Sequence, residues 1–202
     1  MKKSNIPILI LAAGRSSRLG SPKQLLEVDG KTLLQKAIET ALEVSEWVGV
    51  NLGANQEMIE PTIQHLPIEF IFNENWSEGM STSIRAGISF LQNLPTDKVG
   101  KKSKAAIIML CDQPYVDAFL LKKIIENFEQ SGKSIVACQY DNQPAVPALF
   151  DISFFEKLKN LKGDQGAKPL IMNHLEQTNF ILFEKGKIDV DTKEDYERLK
   201  KQ

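Results

Sequence analysis

The chain is poor in the residues that most often announce a function. Two cysteines, Cys111 and Cys138, in 202 residues make neither a disulfide framework nor a metal-ligand spacing. Two histidines, His65 and His174, fall on predicted helices without a ligand partner, and no serine–histidine or cysteine–histidine arrangement is present. An excess of charge of one sign is missing too. With 25 Lys and Arg against 26 Asp and Glu, the net charge is −1 and the pI about 6.2, so there is no global electrostatic case for nucleic acid or an anionic membrane. No apolar run approaches the ~20 residues of a membrane span. Repeats, low-complexity tracts and interdomain linkers are absent. What remains is ordinary globular composition, 42% hydrophobic and 25% charged. A chain of this length buries about 70% of its unfolded surface as one domain, here residues 1–202.

The informative stretch is Ile6–Leu26, IPILILAAGRSSRLGSPKQLL. Ile8 to Ala12 is an uncharged apolar run that reads as a strand buried on both faces. MKKSNIPILILAAG has the basic start and apolar stretch of a signal peptide, but the apolar part is short and passes straight into polar sequence. It therefore reads as the first strand, and the protein as cytoplasmic. Ala13 and Gly14 are small, Arg15, Arg18 and Lys23 are cationic, and Gly20, Ser21 and Pro22 keep the backbone irregular. Such a loop suits phosphate: glycine lets the backbone approach, free N–H groups point at oxygens, and Arg or Lys neutralise charge. It is not a Walker loop, because Gly14 is followed by neither glycine nor lysine at the required offsets. It is not a dinucleotide fingerprint either, since only one glycine precedes Gly20. A surface turn with solvated arginines is the bland alternative. It sits poorly with three cations on one loop directly after an uncharged strand.

LAAGRSSRLGSPKQLL resembles the nucleotide-binding signature of the MobA-like nucleotidyltransferases, and within them most of all the molybdenum cofactor cytidylyltransferases. The resemblance implies a three-layer, Rossmann-like α/β nucleotidyltransferase fold, with a mostly parallel sheet and a mixed C-terminal part. It implies nucleotide contacts at Leu11, Ala12, Ala13, Gly14, Arg15, Arg18 and Lys23. Ala12-Ala13-Gly14 matches the cytidylyltransferase form, where guanylyltransferases carry a second glycine in place of Ala13.

The remaining pattern alternates strand and helix. A helix is predicted over 31–44, a strand over 47–52 and a helix over 56–65, weakened by Pro61 unless that residue lies in its first turn. Strand 68–72, polar loop 73–79, helix 81–94 and a loop over 95–104 follow, the last with the basic run KVGKKSK read as solvated. A buried strand over 105–110 ends at Asp112. A helix over 117–131 has Asp117 as N-cap, and strand 134–138 follows. This alternation independently argues an α/β domain whose ligands bind outside the carboxyl ends of the strands. The chain beyond Cys138 is less regular. Pro144, Pro147 and the short run Ala148–Phe150 suggest an irregular or antiparallel segment, short helices begin near Phe154 and Leu170, a strand covers 179–183 and a helix 192–200.

Three further stretches carry chemistry. Asp112, in LCDQP, stands where a carboxylate can hold Mg²⁺ through water and substrate phosphates, or be a solvated turn residue. The stretch resembles the family's Leu-Ala-Asp-Gln-Pro metal motif, with Cys111 in place of alanine. Gly79 precedes a serine-rich helix start whose N–H groups and hydroxyls can bind polar edges, or whose Ser77 or Ser81 caps the helix. EGMSTSIRAG resembles the family's Gly-Met-Ser-x-Ser start, which implies base or ribose contact at Gly79, Met80, Ser81 and Ser83, with Arg85 and Gly87 structural. Asp189 and Asp191 alternate, so on a strand they share a face, while Asp191-Thr192 also suits a helix N-cap. The family's Asp-x-Asp-Thr-Pro-Glu-Asp implies Asp191 as a second metal ligand, although Lys193 replaces the proline. On the acceptor side, LKGDQGAKPL resembles Gly-Asp-x-Gly-Ala-Arg with Lys168 for arginine. PAVPALF departs from the family's segment at Ala145 and Val146, removing a polar side chain where the acceptor is expected.

The resemblance implies transfer of CMP from CTP to the phosphate of a molybdopterin-type cofactor, with Mg²⁺ as cofactor and Lys23, Arg18 and Asp112 as the catalytic groups. A molybdenum hydroxylase is the implied client, and no nucleic acid or membrane is involved. Two alternatives stay open. One is a related transferase that uses GTP or another phosphorylated acceptor. The other is an accessory protein that binds the molybdenum cofactor and delivers it to a hydroxylase.

Overall fold

The computed structural model describes residues 3–94 and 103–201. Most of the basic stretch Lys98–Lys104 lies outside the described residues. The chain opens with β1 (Ile8–Leu11), a short hairpin of β2 (Glu27–Val28) and β3 (Lys31–Thr32), then α1 (Leu33–Leu42), β4 (Val48–Leu52), α2 (Gln56–Ile63) and β5 (Glu69–Phe72). It continues with α3 (Met80–Asn93), β6 (Ala105–Leu110), α4 (Ala118–Ser131), β7 (Ile135–Tyr140) and β8 (Gln143–Asp151). Last come α5 (Phe155–Lys159), α6 (Lys168–Met172), β9 (Thr178–Leu182) and α7 (Lys193–Leu199).

Seven strands form one sheet in the order β5-β4-β1-β6-β8-β7-β9. β8 alone runs against its neighbours, antiparallel to both β6 and β7, and every other pairing is parallel. β1 lies at the centre of the parallel part, and its side chains alternate between two cores as a strand period of two requires. Ile8 and Ile10 join α1, α2 and α4 on one face. Leu9 and Leu11 join α3, α5 and α6 on the other. The α/β expectation with a mixed C-terminal part is thus what the chain builds.

Local chemistry sets the element boundaries, and several differ from the sequence reading. α1 begins at Leu33 rather than at Lys31, because Thr32 caps it through a reciprocal capping box with Gln35. Lys31 and Thr32 pair instead with Val28 and Glu27 across Asp29-Gly30, both at positive φ, the conformation a two-residue hairpin turn demands. Pro61 lies in the second turn of α2, where its missing N–H leaves the Glu57 carbonyl without a helical donor. Burial of Ile59 and Ile63 holds the helix there. β7 runs on to Tyr140 and turns through Asp141-Asn142, again both at positive φ, into β8. Of the irregular or antiparallel segment expected after Cys138, the antiparallel reading holds, as the second strand of a hairpin. Residues 188–191 form no strand; the buried Val190 anchors them by donating its N–H to the Asp112 carbonyl at 3.1 Å.

Two features seat α3 on the sheet. Gly87 has no Cβ, and one placed there would lie 2.9 Å from Asn51 Nδ2 and 2.9 Å from Leu9 Cδ1. The helix therefore packs on β1 and β4 at a distance only glycine allows. Arg85 donates from Nε and Nη2 to the carbonyls of Lys159 and Leu161, at 3.1 and 3.2 Å, and so ties α3 to the segment after α5. Gly87→Val should force this contact apart at a cost of about 1–3 kcal/mol. The measurement is a thermal melt by far-UV circular dichroism: a lowered Tm with an unchanged native spectrum is expected, and an unchanged Tm would contradict close packing at Gly87.

Candidate active site

The site lies beyond the carboxyl ends of the parallel strands, where β1 and β6 release their chains. From β1 the chain enters the loop Ala12–Pro22, which is exposed at Gly14, Arg15, Ser17 and Arg18. Ser16 takes a φ of 57°. Among the described residues, the backbone N–H groups of Gly14 to Arg18 have no hydrogen-bond partner within the protein. After the loop, a tight turn over Lys23–Leu25 carries the Lys23 ammonium back under it. From β6 the chain places Asp112, buried two residues past the strand end. The third component arrives from far along the chain, with Asp191 just before α7.

These three segments meet at one ammonium. Lys23 Nζ donates to Asp112 Oδ2 and, at 2.9 Å, to Asp191 Oδ1. Arg18 Nη2 donates to the other Asp191 oxygen at 2.7 Å. Burial alone would lower the Lys23 pKa, but Asp112 and Asp191 outweigh it and hold the ammonium above its ordinary value. Lys23 is therefore a fixed cation and not a base. For Asp191, burial works to raise the pKa, and the bonds from Lys23 and Arg18 bring it below the ordinary carboxylate range. Asp189 moves the opposite way, raised by burial and by the nearby charges of Asp191 and Asp112. Burial, then Asp112, pushes the Cys111 thiol up to about 12, so it behaves as a small buried side chain.

Two carboxylates converging on one cation form a hard-oxygen donor set. Asp112 Oδ1 is buried without a hydrogen-bond partner, so this carboxylate still has acceptor capacity. The set fits a divalent ion of the Mg²⁺ kind, which commonly takes one or two carboxylates and completes its shell with phosphate oxygens and water. Among the described residues, no group of three or more His, Cys, Asp or Glu could hold a metal alone.

Among the described residues, three neighbouring spaces that share lining residues open here. The largest, about 520 Å³, lies between the cationic loop and Trp76, Glu78 and Gly79, with Asp164 and Asp191 on its wall. A smaller recess of about 150 Å³ reaches inward past Ala13, Met80 and Ser83 to Asp112. The third, about 170 Å³, opens beyond Met80 and Leu110 towards Ala145, Val146, Lys168 and Asp189.

Most of the expected residues gather here. Gly14, Arg15, Arg18 and Lys23 line the large cleft, and Leu11, Ala13, Gly79, Met80, Ser83 and Asp112 the inner recess. Lys168, Ala145 and Val146 share the third space. Two residues differ from expectation. Ala12 is buried and lines none of these spaces. Ser81 is 1% exposed and also lines none of them. The start of α3 does not offer free N–H groups either. Met80 N–H donates to the Asp164 carboxylate and Ser81 N–H to the Gly163 carbonyl, both at 3.1 Å. The N-cap is Gly79 at φ 112°, where a Cβ would lie 2.7 Å from the Gly163 carbonyl. Neither Ser77 nor Ser81 caps the helix. The Ser83 hydroxyl accepts from Asn73 Nδ2 at 2.9 Å. Asp191 does not cap α7; Thr192 does, in a capping box with Asp195, which leaves Asp191 to the site. Trp76 carries no local signal, and Asp164 stands in the matched Gly-Asp-x-Gly-Ala loop without a role read for it, because its contact with Met80 depends on α3 docking against residues 163–164.

The depressed pKa of Asp191 has a stability consequence. Its contribution is present above the unfolded-state carboxylate pKa and lost as pH falls through the lower folded-state value. Asp191→Asn should therefore be less stable than the parent at neutral pH, with the gap closing in acid. Denaturant unfolding at several pH values checks this, and a gap independent of pH would contradict it.

A cationic loop after the first strand, a carboxylate one strand over and a helix start along one wall have relatives. Residues 8–178 match the MobA-like NTP transferase domain. The chain is 28% identical over 205 residues to a protein named nicotine blue oxidoreductase from Paenarthrobacter nicotinovorans, covering 95% of this chain and 94% of that one. It is 25% identical over 179 residues to a molybdenum cofactor guanylyltransferase of Vibrio parahaemolyticus, covering 87% and 83% of the two chains. The crystal structure of an Rv0371c homologue from Mycobacterium sp. strain JC1 superposes with a TM-score of 0.83 at 28% identity, over 99% of this chain and 97% of the other. With the family matched from β1 through the start of β9, the chain belongs to the MobA-like NTP transferase domain family and is a nucleotidyltransferase by membership.

Proposed function

We propose that the protein transfers CMP from CTP to the phosphate of a molybdopterin-type cofactor and releases pyrophosphate. The observation that carries this reading is the Lys23 ammonium held by Asp112 and Asp191 beneath a loop of unpartnered N–H groups. Cationic cradle, fixed ammonium and hard carboxylates together suit a triphosphate and its divalent ion. We read the protein as working in the cytoplasm.

The acceptor phosphate is ionised at neutral pH, so no strong base is required, and none of the residues gathered here needs to be one. Its oxygen forms the new bond to the α-phosphorus, and the bond from the α-phosphorus to the bridging oxygen breaks with its electron pair leaving on pyrophosphate. What the chain supplies is position and charge. The N–H groups of the loop, with Arg15 and Arg18, hold the β- and γ-phosphates. Lys23 neutralises the charge that grows on the leaving group. Asp112 and Asp191 would hold Mg²⁺, which when bound supplies charge to the phosphate oxygens. Ala13, Gly79, Met80 and Ser83 border the nucleoside. Ser81, buried behind them, supports the helix start. The acceptor enters from the space bordered by Lys168 and Asp189.

The choice of CTP rests on Ala13, which with Trp76 lines the inner recess and lies against Gly53. A Cβ built on Gly53 would lie 2.9 Å from the Ala13 methyl and 2.6 Å from Trp76 Cβ. One methyl is worth about 1–3 kcal/mol of discrimination. The guanylyltransferase relative makes GTP the competing donor.

Pyrophosphate release measured across CTP, GTP, ATP and UTP with molybdenum cofactor as acceptor should rank CTP first; GTP in first place would reverse the assignment of Ala13. Lys23→Ala and Asp112→Ala should each lower turnover by orders of magnitude. Each also strips a partner from a buried ion pair, at about 3–5 kcal/mol, so their melting curves must accompany the assay. Folded variants with near-normal pyrophosphate release would remove both residues from the mechanism.

A further inference from the structure

Three successive carbonyls of the donor loop are held inside the protein, and two of them by one side chain, Gln24. This residue follows Lys23 in the tight turn and is fully buried. Its Nε2 donates to the Ala12 carbonyl at 2.7 Å and to the Gly14 carbonyl at 2.9 Å. The carbonyl between them, that of Ala13, accepts from Ala54 N–H at 3.0 Å. In a trans peptide the C=O of one residue and the N–H of the next point in opposite directions. Drawing these carbonyls into the protein therefore turns the N–H groups of Ala13, Gly14 and Arg15 outward. Among the described residues none of the three has a hydrogen-bond partner. All three residues line the cleft or its recess. Successive backbone N–H groups left free along a cleft can form an anion-binding concavity.

The acceptor end of the same carboxamide fixes the far side of the loop. Gln24 Oε1 accepts from the Ser16 hydroxyl at 3.4 Å, and the Ser16 oxygen accepts the Lys23 N–H at 3.0 Å. One buried side chain thus spans the loop from Ala12 to Ser16, and holds it against the turn that carries Lys23. No other side-chain type does this. A carboxamide offers two N–H donors and an acceptor; glutamate offers acceptors only, lysine donors only and methionine neither of useful strength.

We propose that Gln24 is the positioning residue of the donor site. It touches no substrate; it sets the direction of the backbone N–H groups that receive the phosphate oxygens of the donor. This rests on the nucleotidyl-transfer reading for the identity of the anion. Without the two donors, the buried Ala12 carbonyl must turn to find a partner and the part-buried Gly14 carbonyl turns towards water, and each carries the following N–H away from the anion.

The test is titration calorimetry with inorganic pyrophosphate and magnesium, on the wild type, Gln24→Met, Gln24→Glu and Ser16→Ala. Gln24→Met should bind pyrophosphate at least tenfold more weakly. Ser16→Ala, which keeps both donors, should lose less. Gln24→Glu should be as weak as Gln24→Met at pH 8, and its deficit relative to the wild type at the same pH should shrink several-fold at pH 6, where a protonated acid regains one donor. A loss that is merely structural gives a deficit independent of pH. Gln24→Met within twofold of the wild type, or a Gln24→Glu deficit equal at both pH values, overturns the proposal. If Gln24→Met does not fold, the other two variants decide. A wild type that binds pyrophosphate but releases none from any nucleotide rejects the transfer reading and leaves Gln24 as the organiser of an anion site. Normal turnover in both wild type and Gln24→Met does the reverse.

Discussion

One ammonium group holds the site together. Lys23 reaches from the loop after β1 to Asp112 after β6 and to Asp191 before α7, segments that are 89 and 168 residues away in sequence. A half-buried lysine is costly unless paired, and its two carboxylates are costly without it. Each segment is therefore in place only when the other two are. The N–H of Val190 on the Asp112 carbonyl adds a backbone link to the same junction. Charge and backbone together close the C-terminal segment over a sheet that is otherwise complete without it.

The sheet explains why the junction lies where it does. Parallel strands deliver their carboxyl ends to one edge, so β1 and β6, neighbours in the sheet, release the cationic loop and Asp112 side by side. α3 brings the other wall. Its first N–H groups are taken by residues 163–164, so this helix start serves as a docking point between the two ends of the cleft, and its side chains, not its dipole, face the ligand space.

What could be read from the sequence was what is local. The run from Ile8 to Lys23 is contiguous, and its strand, its loop and its cations follow from neighbouring residues. Asp112 was legible because a buried strand has to end beside it. The hairpin through Asp141-Asn142 was written in two residues that tolerate positive φ, but the prolines after it obscured the strand. The occupied N–H groups of α3 were not legible, because their partner Asp164 is 84 residues away. Gln24 carries no local signal; only the packed loop shows that its amide is enclosed.

β8 is the one strand that runs against the rest, so it presents its beginning, not its end, at the ligand edge. Ala145 and Val146 stand there, where the pairing with β7 slips between Ala137 and Cys138. The Val146 carbonyl is held by Gln113 at 3.1 Å, through backbone and not through its side chain. The wall of this third space is thus anchored independently of what its side chains are. The two ends of the cleft are built on different terms, the first tied by a shared ion cluster, the second able to exchange its surface while the strand beneath keeps its register.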